Sequence, residues 1–191
     1  MSSDTGLILS CSPRPHGNCE AVSRLLAGEL GFPVMRLASR SFKPCIACGY
    51  CDTRAGSCSL DKEGDEARAL LESLCTSPAG FNVLVSPIYF YHLPALLKGL
   101  MDRSQRWWNV AEKPAQNTRL AVVLLGARPR GDKLFAGALL SLKYMALTMG
   151  LELAEPLLLY SLDAPDAFAR NDEAQAKVRD YARALLRSGE L

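Results

Sequence analysis

The sequence predicts an α/β fold, a three-layer sandwich in which a five-stranded parallel sheet of order 2-1-3-4-5 carries helices on both faces. Two observations lead there. Short apolar runs alternate strictly with longer amphipathic stretches, the signature of successive βαβ units. In addition, 191 residues, 49% of them hydrophobic, supply one large core, so residues 1–191 are expected to form a single domain. In chain order, strands are expected at Gly6–Ser10, Pro33–Leu37, Phe81–Ser86, Leu120–Leu125 and Glu152–Tyr160. Helices are expected at Cys19–Leu30, Asp65–Ser77, Leu93–Trp107, Asp132–Met149 and Asp172–Arg187. A sheet of this order places its ligand at the carboxyl ends of the central strands. The loops after Ser10, Ser86 and Leu125 should therefore meet. Two segments interrupt the alternation. One is a cysteine-rich insertion, Ala38–Gly64, far longer than the usual connection and of a length that marks function or disorder. The other, Arg106–Arg119, carries Trp107 and Trp108 and reads as a flap or a subunit contact.

Charge and hydropathy narrow the function. The formal net charge is +2, from 22 basic and 20 acidic residues spread along the chain, so neither nucleic acid nor a membrane surface is an expected partner. No apolar run approaches the roughly 18 residues that span a bilayer. The start, Met1-Ser-Ser-Asp-Thr5, lacks the basic region of an export signal, and a cytoplasmic protein is expected. In that compartment seven cysteines point to thiol, redox or metal chemistry rather than to a disulfide framework. His16 and His92 are the only histidines, and neither belongs to a Ser-His-Asp or Cys-His pattern of the hydrolytic kind.

Three loops carry the candidate chemistry at the switch-point edge. Ser10-Cys-Ser-Pro-Arg14 with Gly17-Asn18 joins the first strand to the first helix. Free backbone N–H groups, a helix dipole, two hydroxyls and a planar cation surround the place where a dianion would lie. The loop is neither of the usual dinucleotide or P-loop patterns, so it reads as a mononucleotide phosphate site, or else as a plain turn capped by Ser12 or Asn18. Ser86-Pro-Ile-Tyr-Phe-Tyr-His92 follows the third strand. Pro87 stiffens the exit, and Tyr89, Phe90 and Tyr91 offer flat apolar surfaces for an isoalloxazine, unless some of them pack into the core. After the fourth strand, the glycines of Gly126-Ala-Arg-Pro-Arg-Gly-Asp132 permit close backbone approach to the same ligand, and Arg128 and Arg130 could meet the phosphate of a nicotinamide nucleotide or stay solvated.

The insertion holds Cys45, Cys48, Cys51 and Cys58 in a C-x2-C-x2-C-x6-C array with Gly49 and Gly56 inside it. Three closely spaced cysteines with a fourth slightly farther away suit a 4Fe-4S cluster. Free or partly oxidised thiols in a packed loop, and a structural zinc site, are the other two readings; zinc more often takes two separated pairs.

With these residues assembled, the chain resembles the NADPH-dependent FMN reductase family of flavodoxin-like proteins, and within it the iron–sulfur flavoproteins. Ser10-Cys-Ser-Pro-Arg14 with Gly17-Asn18 is similar to the family's G-S-P-R-x-x-G-N-T loop. Ser86-Pro-Ile-Tyr89 with Leu97-Lys98 and Met101-Asp102-Arg103 is similar to its flavin loop and following helix. The resemblance implies FMN held without a covalent bond, its phosphate by Ser10, Ser12, Arg14, Asn18 and Cys19, and its ring by Pro87, Ile88, Tyr89 and Phe90. It also implies a homodimer or homotetramer completing the flavin site across subunits, with Trp107 and Trp108 as candidates for the neighbour's contribution. Cys11 and Cys19 depart from the family's glycine and Thr or Ser, so at Cys19 only the backbone N–H carries over. The cysteine loop is shared by relatives with and without a cluster. The implied activity is an FMN-dependent oxidoreductase taking electrons from NAD(P)H to a flavin, quinone or other acceptor, with no side-chain acid or base required. A non-catalytic flavin and iron–sulfur electron carrier with a protein donor is the alternative, and a metal-stabilised interaction module a third.

Overall fold

The structure, a computed structural model, describes residues 5–115, 117–131 and 133–188. Residues 1–4, on which the expectation about export rests, Gln116 in the tryptophan segment, and Asp132, the expected start of the fourth helix, lie outside the described residues.

Six strands form among the described residues: β1 (Ile8–Ser10), β2 (Val34–Arg36), β3 (Phe81–Pro87), β4 (Arg119–Leu125), β5 (Glu152–Leu153) and β6 (Leu157–Leu159). All pair in parallel in the order β2-β1-β3-β4-β5, with β6 also against β4, which is the flavodoxin-like order. Successive side chains point to opposite faces of the sheet. Ile8, Val83, Val85, Ala121 and Val123 therefore enter one apolar layer, and Leu9, Leu84, Leu120, Val122 and Leu124 the other. Burial on both faces is why these strands read as continuous apolar runs.

The expected fifth strand is two short ones. Leu120 faces Leu153 but Val123 faces Leu157, so the edge strand holds one residue more than β4 over the same span. That extra residue is a bulge, and Pro156, which has no N–H to give a ladder, falls within it.

The helices are α1 (Asn18–Leu30), α2 (Tyr50–Thr53), α3 (Ala67–Cys75), α4 (Ala95–Arg103), α5 (Ala136–Met149) and α6 (Asp172–Arg187). Val22, Leu26, Val178, Ala182 and Leu185 bring α1 and α6 onto one face of the sheet. Leu71, Leu74, Leu97, Leu100, Leu142 and Met145 bring α3, α4 and α5 onto the other. The helix expected at Asp65–Ser77 is shorter because Asp65 turns back, its carboxylate accepting the Ala67 N–H at 3.1 Å. The helix expected at Leu93–Trp107 gives way after Arg103 to a 3-10 turn over Ser104–Trp107. In that tighter winding residues three apart eclipse, which stacks Arg106 above Arg103. The single turn α2, inside the insertion, has no sequence signal of its own. Among the described residues, no helix is long and apolar enough to cross a membrane.

Candidate functional site

The loops after β1, β3 and β4 meet, as the sheet order requires. They enclose a cavity of about 270 Å³ lined on one side by Ser12, Arg14, Gly17, Asn18 and Cys19 and on the other by Pro87, Ile88, Tyr89, Leu125 and Ala127. The Ser12 hydroxyl accepts the Arg14 N–H at 3.1 Å and shapes the turn. The Glu20 carboxylate accepts the His16 N–H at 2.7 Å; this bond and Arg24, at 2.5 Å, hold Glu20 below the usual carboxylate range. Gly17 begins α1 with no side chain capping it. The helix therefore presents its first N–H groups and its positive dipole end toward a cavity that also holds a serine hydroxyl and an arginine. This donor set fits the phosphate of FMN.

The side chain of Asn18 has another task. Its amide donates to the carbonyls of Leu162 and Ala164, at 3.1 and 2.8 Å, and its oxygen accepts the Phe168 N–H at 2.9 Å. Asn18 thus pins the loop after β6 and brings Leu162 and Asp163 to the cavity wall. Sequence reasoning missed both residues. The available signal was that a fifth strand ends at the same sheet edge as the other loops. Cys19 is buried among apolar side chains, and burial pushes its thiol up to about 12. Ser10, Phe90 and Gly126 do not line the cavity. Gly126 is required by packing: a Cβ there would meet Leu134 at 2.6 Å and Phe135 at 3.1 Å.

Beyond Pro87 the chain makes a two-residue hairpin. Tyr89 and His92 exchange backbone hydrogen bonds of 2.8 and 2.9 Å, and Phe90 and Tyr91 both take positive φ, 48° and 61°. Such a turn ordinarily holds Asn-Gly, because residues with a Cβ are strained there. Tyr89 and Tyr91 are partly exposed and Phe90 is fully so. The turn is held on α5: a Cβ on Gly137 would lie 3.0 Å from the Tyr91 carbonyl, and His92 Nε2 lies 3.0 Å from the Ser141 hydroxyl. Arg128 stacks on the Tyr91 ring, 5.3 Å from its centroid, while Arg130 is exposed.

Nearby in sequence order, the insertion forms a second cavity, of about 250 Å³, lined by all four cysteines of the array together with Arg103 and Arg106. Positive φ at Ala47, Gly49 and Gly56 lets the chain turn repeatedly around it. The Cys45 sulfur accepts the Ala47 N–H at 3.4 Å; the Cys48 thiol lies 3.0 Å from the Ser59 hydroxyl, a contact that lowers its pKa. Among the described residues, no three of His, Cys, Asp and Glu converge on a point fit for a single metal ion. A zinc ion needs four sulfurs within about 2.3 Å of one point. All four thiols rim the one cavity.

The insertion is tied down by charge. Arg103 and Arg106 have side chains with 0% and 1% exposure and converge on Asp61. Arg103 donates to Asp61 at 2.8 Å, to Asp65 at 2.9 Å and to the Lys43 carbonyl at 2.7 Å. Arg106 grips both Asp61 oxygens, one of them at 2.7 Å. Pro44 packs on Gly99 of α4, where a Cβ would stand 3.3 Å from it. Sequence reasoning noticed Arg103 only through the flavin-helix resemblance. The signal for its role is the 103/106 spacing followed by an apolar tryptophan. Trp107 itself is buried in the core, which removes it as a contact for a neighbouring subunit, whereas Trp108 is half exposed.

Comparison with known proteins agrees with this geometry. An iron-sulfur flavoprotein of Methanocaldococcus jannaschii is 33% identical over 102 residues, which is 51% of this chain and 50% of that protein. An iron-sulfur flavoprotein of Methanosarcina thermophila is 32% identical over 101 residues, half of each chain. The chain thus spans about half the length of the curated relatives it matches. Among solved structures, an NAD(P)H:quinone oxidoreductase from Methanothermobacter marburgensis superposes with a TM-score of 0.69, at 16% identity, over 96% of this chain and 92% of that one. The azoreductase AzrA does so with a TM-score of 0.62, at 13% identity, over 97% of this chain and 98% of that one. At such identities these two likenesses establish the shared fold. Residues 6–149, which span the cavity walls from β1 through α5, match the family described as NADPH-dependent FMN reductase, and the chain belongs to that family.

Proposed function

We propose that this protein is a cytoplasmic FMN-dependent oxidoreductase that passes electrons from NAD(P)H to a small-molecule or protein acceptor such as a flavin or quinone. The observation that carries the reading is the uncapped start of α1 opening onto a cavity that also holds Ser12 and Arg14. Bound there, FMN supplies the hydride and single-electron chemistry. The chain's own residues do the placing. The N-terminal N–H groups of α1, the Ser12 hydroxyl and the Arg14 guanidinium hold the phosphate. Asp163, a carboxylate on the opposite wall, suits the hydroxyls of the ribityl chain. Pro87, Ile88 and Tyr89 support one edge of the ring, and the exposed Phe90–Tyr91 tip limits water access beside it. Arg128, held over Tyr91, offers a cation to the phosphate of the nicotinamide nucleotide.

Cys45, Cys48, Cys51 and Cys58 are proposed to hold a 4Fe-4S cluster, which would supply one-electron transfer. The shared thiol-lined cavity and the names of the two archaeal relatives support this. A second copy of the chain is proposed to cover Leu140, Tyr144 and Leu147, an exposed apolar row on α5 that continues to Trp108. A helix apolar on both sides needs a partner on each.

The test is titration of flavin-free protein with FMN. Ser12→Ala and Arg14→Ala should each weaken binding roughly tenfold, since a hydrogen bond to a charged group contributes on the order of 1.5–3 kcal/mol. Unchanged affinity in both variants would move the phosphate elsewhere.

A further inference from the structure

Arg103 is the residue that neither the phosphate site nor the anchoring of the insertion fully explains. Its two Nη atoms satisfy Asp61, Asp65 and the Lys43 carbonyl, yet its Nε–H, buried, has no acceptor. An unsatisfied buried donor on a charged group is costly and calls for a reason. Arg106, equally buried and on the same carboxylate, has no such gap, because its Nε donates to the Arg103 carbonyl at 3.1 Å. Arg103 lines the thiol cavity together with Cys45, Cys48, Cys51 and Cys58. The carboxylates around the pair, Asp61 and Asp65, are already engaged by the Nη atoms.

We propose that Arg103 is a positioning residue for the sulfur ligands: its free Nε–H is the hydrogen-bond donor reserved for a cluster-bound thiolate of the cavity it lines, and it holds the reduction potential of the cluster up. This rests on the cluster reading above. Cluster potentials respond to net charge and to hydrogen bonds on the sulfurs. An N–H donated to sulfur stabilises the reduced, more negative state more than the oxidised one. Arg106, each of whose three nitrogens already has a partner in the Arg103 carbonyl or Asp61, contributes to the fold and not to the sulfurs.

Two variants that keep the buried charge separate the roles. Arg103→Lys removes the Nε–H that has no acceptor, and Arg106→Lys removes one already donated to the Arg103 carbonyl. Protein purified without oxygen would be assayed for FMN, iron and sulfide, and the cluster potential read by a redox titration followed by electron paramagnetic resonance. Arg103→Lys should make one-electron reduction about tenfold less favourable, about 59 mV more negative, with FMN content unchanged. Arg106→Lys should leave the potential where it was and lower thermal stability instead. Loss of iron in Arg103→Lys overturns the assignment, because Arg103 also anchors the insertion through Asp61, Asp65 and the Lys43 carbonyl. Equal shifts in both variants, no shift in either, or loss of iron in both overturns it and returns Arg103 to anchoring alone. An unsubstituted protein with FMN but no iron removes the cluster reading first, and this inference with it.

Discussion

Asp61→Asn is the perturbation for which the structure gives the clearest magnitude. One carboxylate serves two guanidinium groups that have essentially no contact with solvent. Removing its charge leaves Arg106 with its carbonyl bond to Arg103 and no anion, and leaves Arg103 with Asp65 and the Lys43 carbonyl. Breaking a buried pair by neutralising one partner costs about 3–5 kcal/mol. The two pairs share a carboxylate, so their costs do not add, and about 4 kcal/mol is the expected total. For a chain of this size each kcal/mol moves Tm by about 2–4 °C. Thermal unfolding followed by circular dichroism should therefore show a fall of about 8–16 °C. The insertion should loosen before the sheet does, because Asp61 and Asp65 hold it to the end of α4. Limited proteolysis should cut first between Arg40 and Lys62. A shift under about 3 °C with an unchanged cleavage pattern would refute the claim that this charge cluster anchors the insertion.

Further outcomes follow from other features. Replacing Phe90-Tyr91 by Asn-Gly relieves two strained αL residues; it should stabilise the protein by about 1–3 kcal/mol in urea denaturation while weakening FMN binding measured by fluorescence. Cys19 and Cys75 keep their protons when folded, their thiols pushed up to about 12 by burial. Unfolded thiols ionise near about 8.5, so stability is full below that pH and falls as pH rises toward 12, by up to about 1.4 kcal/mol per pH unit for each thiol. Denaturation at pH 8, 9 and 10 reads this slope, and Cys19→Ala should make it shallower. Gly126→Ala should cost about 1–3 kcal/mol by forcing Leu134 and Phe135 aside. Tyr144→Glu should shift sedimentation toward the monomer if α5 forms the subunit contact.

The sheet order was legible because the central strands are apolar on both faces and their connections are helical. The bulge at Pro156 was not, since a single run of apolar residues looks the same whether its register is continuous or slips by one. That Ser12, Arg14 and Gly17 share one cavity wall could be read from a loop whose residue types suit an anion. The structural tasks of Asn18 and Gly126 were not legible, because a polar side chain that pins a distant loop and a glycine cleared for two core side chains leave the same trace in sequence as residues that meet a ligand. The arginine cluster stayed hidden because Asp61 and Arg103 are 42 positions apart, and only the fold brings them to 2.8 Å.

The central claim is that the cavity at the start of α1 binds FMN for electron transfer from a nicotinamide nucleotide. The most direct measurement is the absorption spectrum of anaerobically purified protein before and after NADPH or NADH is added. The account predicts flavin bands that bleach on addition, with FMN released when the protein is denatured. Colourless protein that neither takes up added FMN nor supports its reduction would contradict it.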